Sequence, residues 1–144
     1  MKKRRYRTLK NALDRVFSEW VRRRWSRYDG TASCVTCGVV KPWAQLQCGH
    51  FVSRVHLAAR WNEFNGNPQC PSCNVLRRGN PAEYALWLTR KYGPKIIEDL
   101  VVLKHQTVKY NRSDLEEMIR QYEQRLENLD AASVGAQAVS LSLS

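Results

Sequence analysis

The stretch Cys34-Val35-Thr36-Cys37, answered downstream by Cys70-Pro71-Ser72-Cys73-Asn74, decides how the middle of this chain folds. Two CxxC pairs offer four thiolates, the donor set of a closed, tetrahedral structural zinc site. A minimal module of this kind separates its pairs by about 15–20 residues. Here residues 38–69 intervene, and the surplus carries His50, His56 and Asn65. Two disulfides are the competing reading, and they belong to a secreted chain. Met1-Lys2-Lys3-Arg4-Arg5 runs instead into further basic residues, without the apolar core of a signal peptide. A reducing cytoplasm is therefore expected, and zinc on Cys34, Cys37, Cys70 and Cys73 with it. Cys48, the odd fifth, reads as a small buried apolar residue rather than a ligand.

Working outward, the charge is unevenly placed. The chain carries a formal +11, of which residues 1–30 contribute +8 and residues 31–80 contribute +4, while residues 81–129 are neutral. The excess thus sits on the amino-terminal arm and the cysteine-bearing centre, an electrostatic footprint for a polyanion, with nucleic acid the first candidate partner. No apolar run approaches the roughly 18 residues of a membrane span, so no membrane role is expected.

From about Thr8 to Tyr28, Leu9, Leu13, Val16, Phe17, Trp20, Val21 and Trp25 recur at helical intervals, and Asp29-Gly30 is the expected stop. The opposite face carries Arg15, Arg22, Arg23 and Arg27, candidates for phosphate contact. Residues 31–54 read as a zinc knuckle and hairpin, with a strand through Leu46 to Val52 and His50 near its end. Residues 55–69, rich in Asn and Gly, read as an irregular loop. Pro71 suits the start of a short helix bearing Cys73 and Asn74. Further helices are expected from Asn80-Pro81-Ala82-Glu83 to Tyr92, from Lys95 to Lys104, and from Ser113-Asp114-Leu115-Glu116 onward, the first and last opening with capping-box patterns. The Ala/Ser/Val-rich tail from Asp130 is expected to be mobile.

Hydrolysis of a phosphodiester needs a base for water and a cation at the scissile phosphate. His50 suits the base, since its ordinary pKa lies near working pH. Asn74, fixed beside Cys73, offers a carbonyl oxygen to a hard cation such as Mg²⁺. Asn65 can bond the imidazole or the adjoining backbone and so orient the base. Arg54, Arg60, Arg77 and Arg78 lie nearby in sequence for phosphate contacts.

His50, Asn65 and Asn74 fall in the order of the HNH, or ββα-metal, nuclease motif, whose final His is often Asn. More narrowly, Leu46-Gln47-Cys48-Gly49-His50-Phe51, Arg60-Trp61-Asn62-Glu63-Phe64-Asn65, Gln69-Cys70-Pro71-Ser72-Cys73-Asn74, Gly79-Asn80 and Glu83-Tyr84 together resemble the phage NinG/Rap recombination endonuclease family. That resemblance implies a metal-dependent endonuclease directed at branched recombination intermediates such as Holliday junctions. One departure stands out. Many HNH nucleases place an acidic metal ligand directly before the base, where this chain has Gly49. Either His56 or Glu63 completes a catalytic divalent site with Asn74, or His50 is itself a ligand; the sequence leaves these alternatives open.

The expected fold is α+β: a small zinc-stapled ββα-metal (HNH-like) core at residues 31–80, a basic helical arm at 1–30, helices at 81–129 packing on the core or on a dimer partner, and a tail at 130–144. The expected function is cleavage of branched DNA with structural Zn²⁺ and catalytic Mg²⁺ or Mn²⁺. A homodimer suits paired cuts, and the host bacterial cytoplasm is the expected location. The rival is a non-enzymatic zinc-ribbon DNA-binding protein or phage regulator, which accounts for the cysteines and the charge but not for the His and two Asn.

Overall fold

A computed structural model describes residues 4–142, with side chains as far as residue 135. Residues 1–3 of the basic arm and 143–144 of the tail lie outside the described residues. The order is α1 (Tyr6–Arg23), β1 (Thr31–Ser33), β2 (Val40–Pro42), a 3₁₀ turn (Trp43–Gln45), β3 (Gln47–His50), α2 (Leu57–Arg60), β4 (Gly66–Gln69), a π-helical turn (Ser72–Leu76), α3 (Pro81–Tyr92), α4 (Lys95–Lys104) and α5 (Arg112–Ser142). The architecture is mixed α+β with two small antiparallel sheets, β1–β2 and β3–β4.

The α1 stripe buries Leu9, Leu13, Phe17, Trp20 and Val21 against Leu115, Ile119 and Tyr122 of α5, with Trp61 completing the cluster. Phe17 and Trp20 both meet Tyr122, and Arg23 pairs with Asp130 further along, so the two helices run side by side in the same direction. A second core joins Tyr84 and Leu88 of α3, Ile96 and Leu100 of α4, and Val52 and Ala59 from the segment between β3 and β4. A third surrounds the cysteines, with Ala32 and Leu46.

Helix α1 ends at Arg23, short of the expected Tyr28. The Ser26 hydroxyl donates to the Arg23 carbonyl, and Arg24 turns its guanidinium away to the carbonyls of Glu63 and Gly66 and to Asn67 Oδ1 at 2.8–3.0 Å. The Ser26 amide also donates to the Arg23 carbonyl and the Arg27 amide to the Thr31 carbonyl, so the backbone groups that another helical turn would pair are already taken. Asp29 instead shapes the entry to β1, accepting from the Thr31 amide and hydroxyl.

Within residues 55–69, the expected irregular loop, lie the short α2 and the strand β4, which pairs with β3 in the register Gln47↔Gln69 to His50↔Gly66. Gly66 is needed there, because a Cβ would approach the Phe17 ring to 2.9 Å.

Two expected capping boxes differ in detail. Asn80 sits before α3 in the left-handed region (φ 47°) without a side-chain cap; its amide faces Cys73 Sγ instead. At α5 the box is shifted two residues upstream: the Asn111 side chain caps the Asp114 amide, and the Asp114 carboxylate caps the Asn111 amide, each at 2.8 Å. Helix α5 then continues to Ser142, where a mobile tail was expected from Asp130. Extending a formed helix through Ala-rich sequence adds a bond per residue without a new nucleation cost.

Candidate active site and zinc cluster

The β1–β2 turn and the segment after β4 bring the two CxxC pairs together. The Sγ atoms of Cys34, Cys37, Cys70 and Cys73 lie within 4.8 Å of one another, with Cys37 and Cys70 3.7 Å apart. Thiolates about 2.3 Å from a tetrahedral zinc stand about 3.8 Å apart, so the four sulfurs fit that ion. Their electrostatics agree. Burial opposes ionisation of Cys34, yet the Thr36 hydroxyl and backbone N–H groups outweigh it and bring the pKa to about 6. Burial and the neighbouring cysteines push Cys37 up to about 12. A dication would relieve that crowding. Among the described residues no other group of three or more His, Cys, Asp or Glu side chains is gathered closely enough to hold an ion.

Beside the cluster opens a cleft of about 600 Å³ whose lining includes His50, Asn74, Asp14, Arg54 and Arg78. His50 ends β3, with its ring 6.1 Å from that of Phe17. Its Nε2 lies 2.8 Å from the Arg60 carbonyl, which as an acceptor requires the proton on Nε2 and leaves the Nδ1 lone pair unprotonated in the neutral ring. Burial holds the imidazole below its ordinary pKa; Arg54 and Arg60 push the same way, while the Arg60 carbonyl and Asp14 offset part of the shift. A neutral imidazole with one committed nitrogen is equipped to accept a proton. Asn74 donates through Nδ2 to Gln47 Oε1 at 2.8 Å, an orientation that leaves its own carbonyl oxygen as the group to offer.

The acidic group of the cleft comes from an unexpected element. Asp14 of α1 accepts from Arg60 Nε at 2.9 Å and Arg60 Nη2 at 2.6 Å, and from Trp61 Nε1 at 2.9 Å. Burial would raise its pKa, but these hydrogen bonds and the Arg60 charge outweigh it and the net shift is downward. An acid directly before His50 has no room, since a Cβ on Gly49 would overlap the buried Gln69 side chain.

The family model described as Bacteriophage Lambda NinG protein matches residues 1–132. The chain belongs to the NinG family. No curated protein and no solved structure matched it.

Of the residues that sequence singled out in this NinG-family chain, His50, Asn74, Arg54 and Arg78 share the cleft. Asn65 is fully buried and bonds backbone rather than imidazole: Oδ1 accepts from the Val52 amide at 2.8 Å, and Nδ2 donates to the carbonyls of Val52 and Ala59. It therefore fixes the turn that follows His50. His56 and Glu63 do not line the cleft; Glu63 pairs with Arg125 at 2.8 Å. Arg60 is committed to Asp14. Arg15 and Arg77 are exposed, Arg22 and Arg23 lie over Trp43, and Arg27 donates to Ser33. Burial pushes the Cys48 thiol up to about 12, which suits an inert packing residue.

Sequence reasoning missed Asp14, Arg24 and Tyr84 as parts of the site's frame. Tyr84, fully buried, donates to the Gly49 carbonyl at 2.7 Å and accepts from Asn67 Nδ2 at 3.0 Å. It thereby pins the backbone immediately before His50. The Glu83-Tyr84 pair was visible as a family element, whereas nothing local distinguishes Arg24 within an arginine run or Asp14 on a helix face.

Proposed function

We propose that this chain is a divalent-metal-dependent, structure-selective endonuclease of the HNH, or ββα-metal, type, acting on branched DNA such as Holliday junctions. The observation that carries the reading is the His50 ring: buried, held neutral, its Nε2–H given to the Arg60 carbonyl, in one cleft with Asn74 and two arginines. The β3–β4 pair followed directly by the π-helical turn gives the ββα order such a site requires. The NinG family match and the basic amino-terminal half support the same substrate class.

In this reading Arg54 and Arg78 bind non-bridging phosphate oxygens. His50 Nδ1 takes a proton from water as the oxygen attacks phosphorus, and the bond to the leaving oxygen breaks. The Asn74 carbonyl would hold a Mg²⁺ or Mn²⁺ ion, which when bound would supply charge neutralisation at the scissile phosphate. Zn²⁺ on the four cysteines is structural. Two copies of the chain would place one cut on each of two strands across a four-way junction.

The test is incubation of a labelled four-way junction and a matched linear duplex with the protein in Mg²⁺, in Mn²⁺ and in chelator. Metal-dependent cuts enriched on the junction support the proposal. Tight binding without cutting under any metal would replace it with the zinc-ribbon regulator.

A further inference from the structure

We propose that Asp14 is the positioning residue for His50: the α1 carboxylate locks the Arg60 guanidinium, and with it the Arg60 carbonyl that receives the His50 Nε2 proton. The inference deepens the nuclease reading and rests on it for the role of His50.

Helix α2 has only four residues, Leu57–Arg60, and no side-chain cap at its start. So short a helix has little stability of its own, and its last carbonyls lack helical partners. One of those carbonyls is the acceptor for His50, so its position must be fixed from outside. Asp14 does this twice, gripping Arg60 through a two-pronged pair and the next residue through Trp61 Nε1. Tyr122 of α5 adds a third hold by donating to the Trp61 carbonyl at 3.1 Å. The Asp14 and Arg60 side chains are only 23% and 14% exposed. A forked arginine–carboxylate pair so shielded fixes geometry as well as charge.

The consequence lies in the imidazole. A histidine whose second nitrogen has a fixed acceptor is held in one tautomer and one ring orientation. Asp14 therefore determines which nitrogen faces the cleft, although the bond it makes is to Arg60. The basic arm thus completes the active centre, in addition to any hold it has on DNA.

The experiment compares wild type, Asp14→Asn and Arg60→Lys in three measurements: single-turnover cleavage of the four-way junction, affinity for the same DNA in chelator, and the His50 tautomer by ¹⁵N imidazole NMR. Zinc content and melting are read on the same samples. Wild type should give one Nε2–H tautomer. Asp14→Asn should give mixed tautomers and a cleavage rate about 10–100-fold lower, with DNA affinity not reduced, since the change removes a negative charge from the cleft. Arg60→Lys keeps the charge but cannot fork onto a carboxylate, and it should reproduce both effects even if Asp14→Asn fails to fold. Retention of a single Nε2–H tautomer in the folded variants would overturn the proposal, whatever the rate. Mixed tautomers with undiminished cleavage would support the coupling of Asp14 to His50 and overturn instead the reading of His50 as base.

Discussion

At the scale of single residues, His50 is defined by what surrounds it. Its pKa is lowered from 6.5, first by burial and then by the Arg54 and Arg60 charges. In the proposed reaction His50 acts as base when unprotonated, so the acid limb of the cleavage profile should fall below pH 6.5, with the rate flat above it. Arg54→Ala removes one depressing charge and should move that limb upward. A single-turnover pH profile at fixed metal concentration checks both. The same shift bears on stability. The unfolded chain protonates at the ordinary value and the folded chain only at a lower one, so this contribution is fully present above pH 6.5 and is lost as pH falls towards the folded value. Gly49 is a second residue with a defined cost. Gly49→Ala should destabilise by about 1–3 kcal/mol, the usual range for overpacking, because its Cβ overlaps the Gln69 side chain. In a double-mutant cycle read by denaturant melts, Gly49→Ala should cost much less in a Gln69→Ala background, where the overlap is absent. Gln69→Ala is itself destabilising through its lost bonds to Thr36 and the Gly79 carbonyl.

At the scale of elements, the cysteine cluster and the candidate cleft share the segment from Cys70 to Gly79. Chelation strong enough to strip zinc, or Cys37→Ser, should therefore unfold the β1–β2 knuckle and release Asn74, with a loss of ordered signal in circular dichroism. Withholding Mg²⁺ should stop cutting and leave the spectrum unchanged. These elements were unequally legible. The α1 stripe, the Pro81 start of α3 and the Gly93-Pro94 break before α4 could be read directly, because apolar spacing and helix punctuation are local signals. Strand β4 could not. Its residues, Gly66-Asn67-Pro68-Gln69, are poor strand formers, yet all four are buried. They are kept there by partners distant in sequence: Arg24 and Tyr84 for Asn67, and Thr36 and the Gly79 carbonyl for Gln69. The site divides in the same way. His50 and Asn74 stood out by residue type and spacing, while the Asp14–Arg60 pair joins helices 46 positions apart and leaves no local trace.

At the scale of the whole molecule, the +11 charge is partly spent on the fold. Arg24 and Arg60 are engaged internally, whereas Arg54 and Arg78 line the cleft and are exposed. Binding measured across salt concentrations should separate the two classes. Arg54→Ala and Arg78→Ala should each flatten the log–log salt slope by about 1, as expected for a lost phosphate contact. Arg60→Gln should leave that slope unchanged while lowering the cleavage rate. No helix among the described residues is long and apolar enough to cross a membrane. The long α5 closes the core over α1 through Leu115, Ile119 and Tyr122, so the carboxy-terminal helix backs the arm whose Asp14, Phe17 and Ser18 line the cleft.

The role of His50 is tested most directly by single-turnover cleavage of a four-way junction by His50→Ala, with zinc content, melting and junction affinity verified against wild type. The variant should bind undiminished and cut at least about 100-fold more slowly, as for removal of a general base. Cleavage at the wild-type rate by that folded, DNA-bound variant would contradict that role.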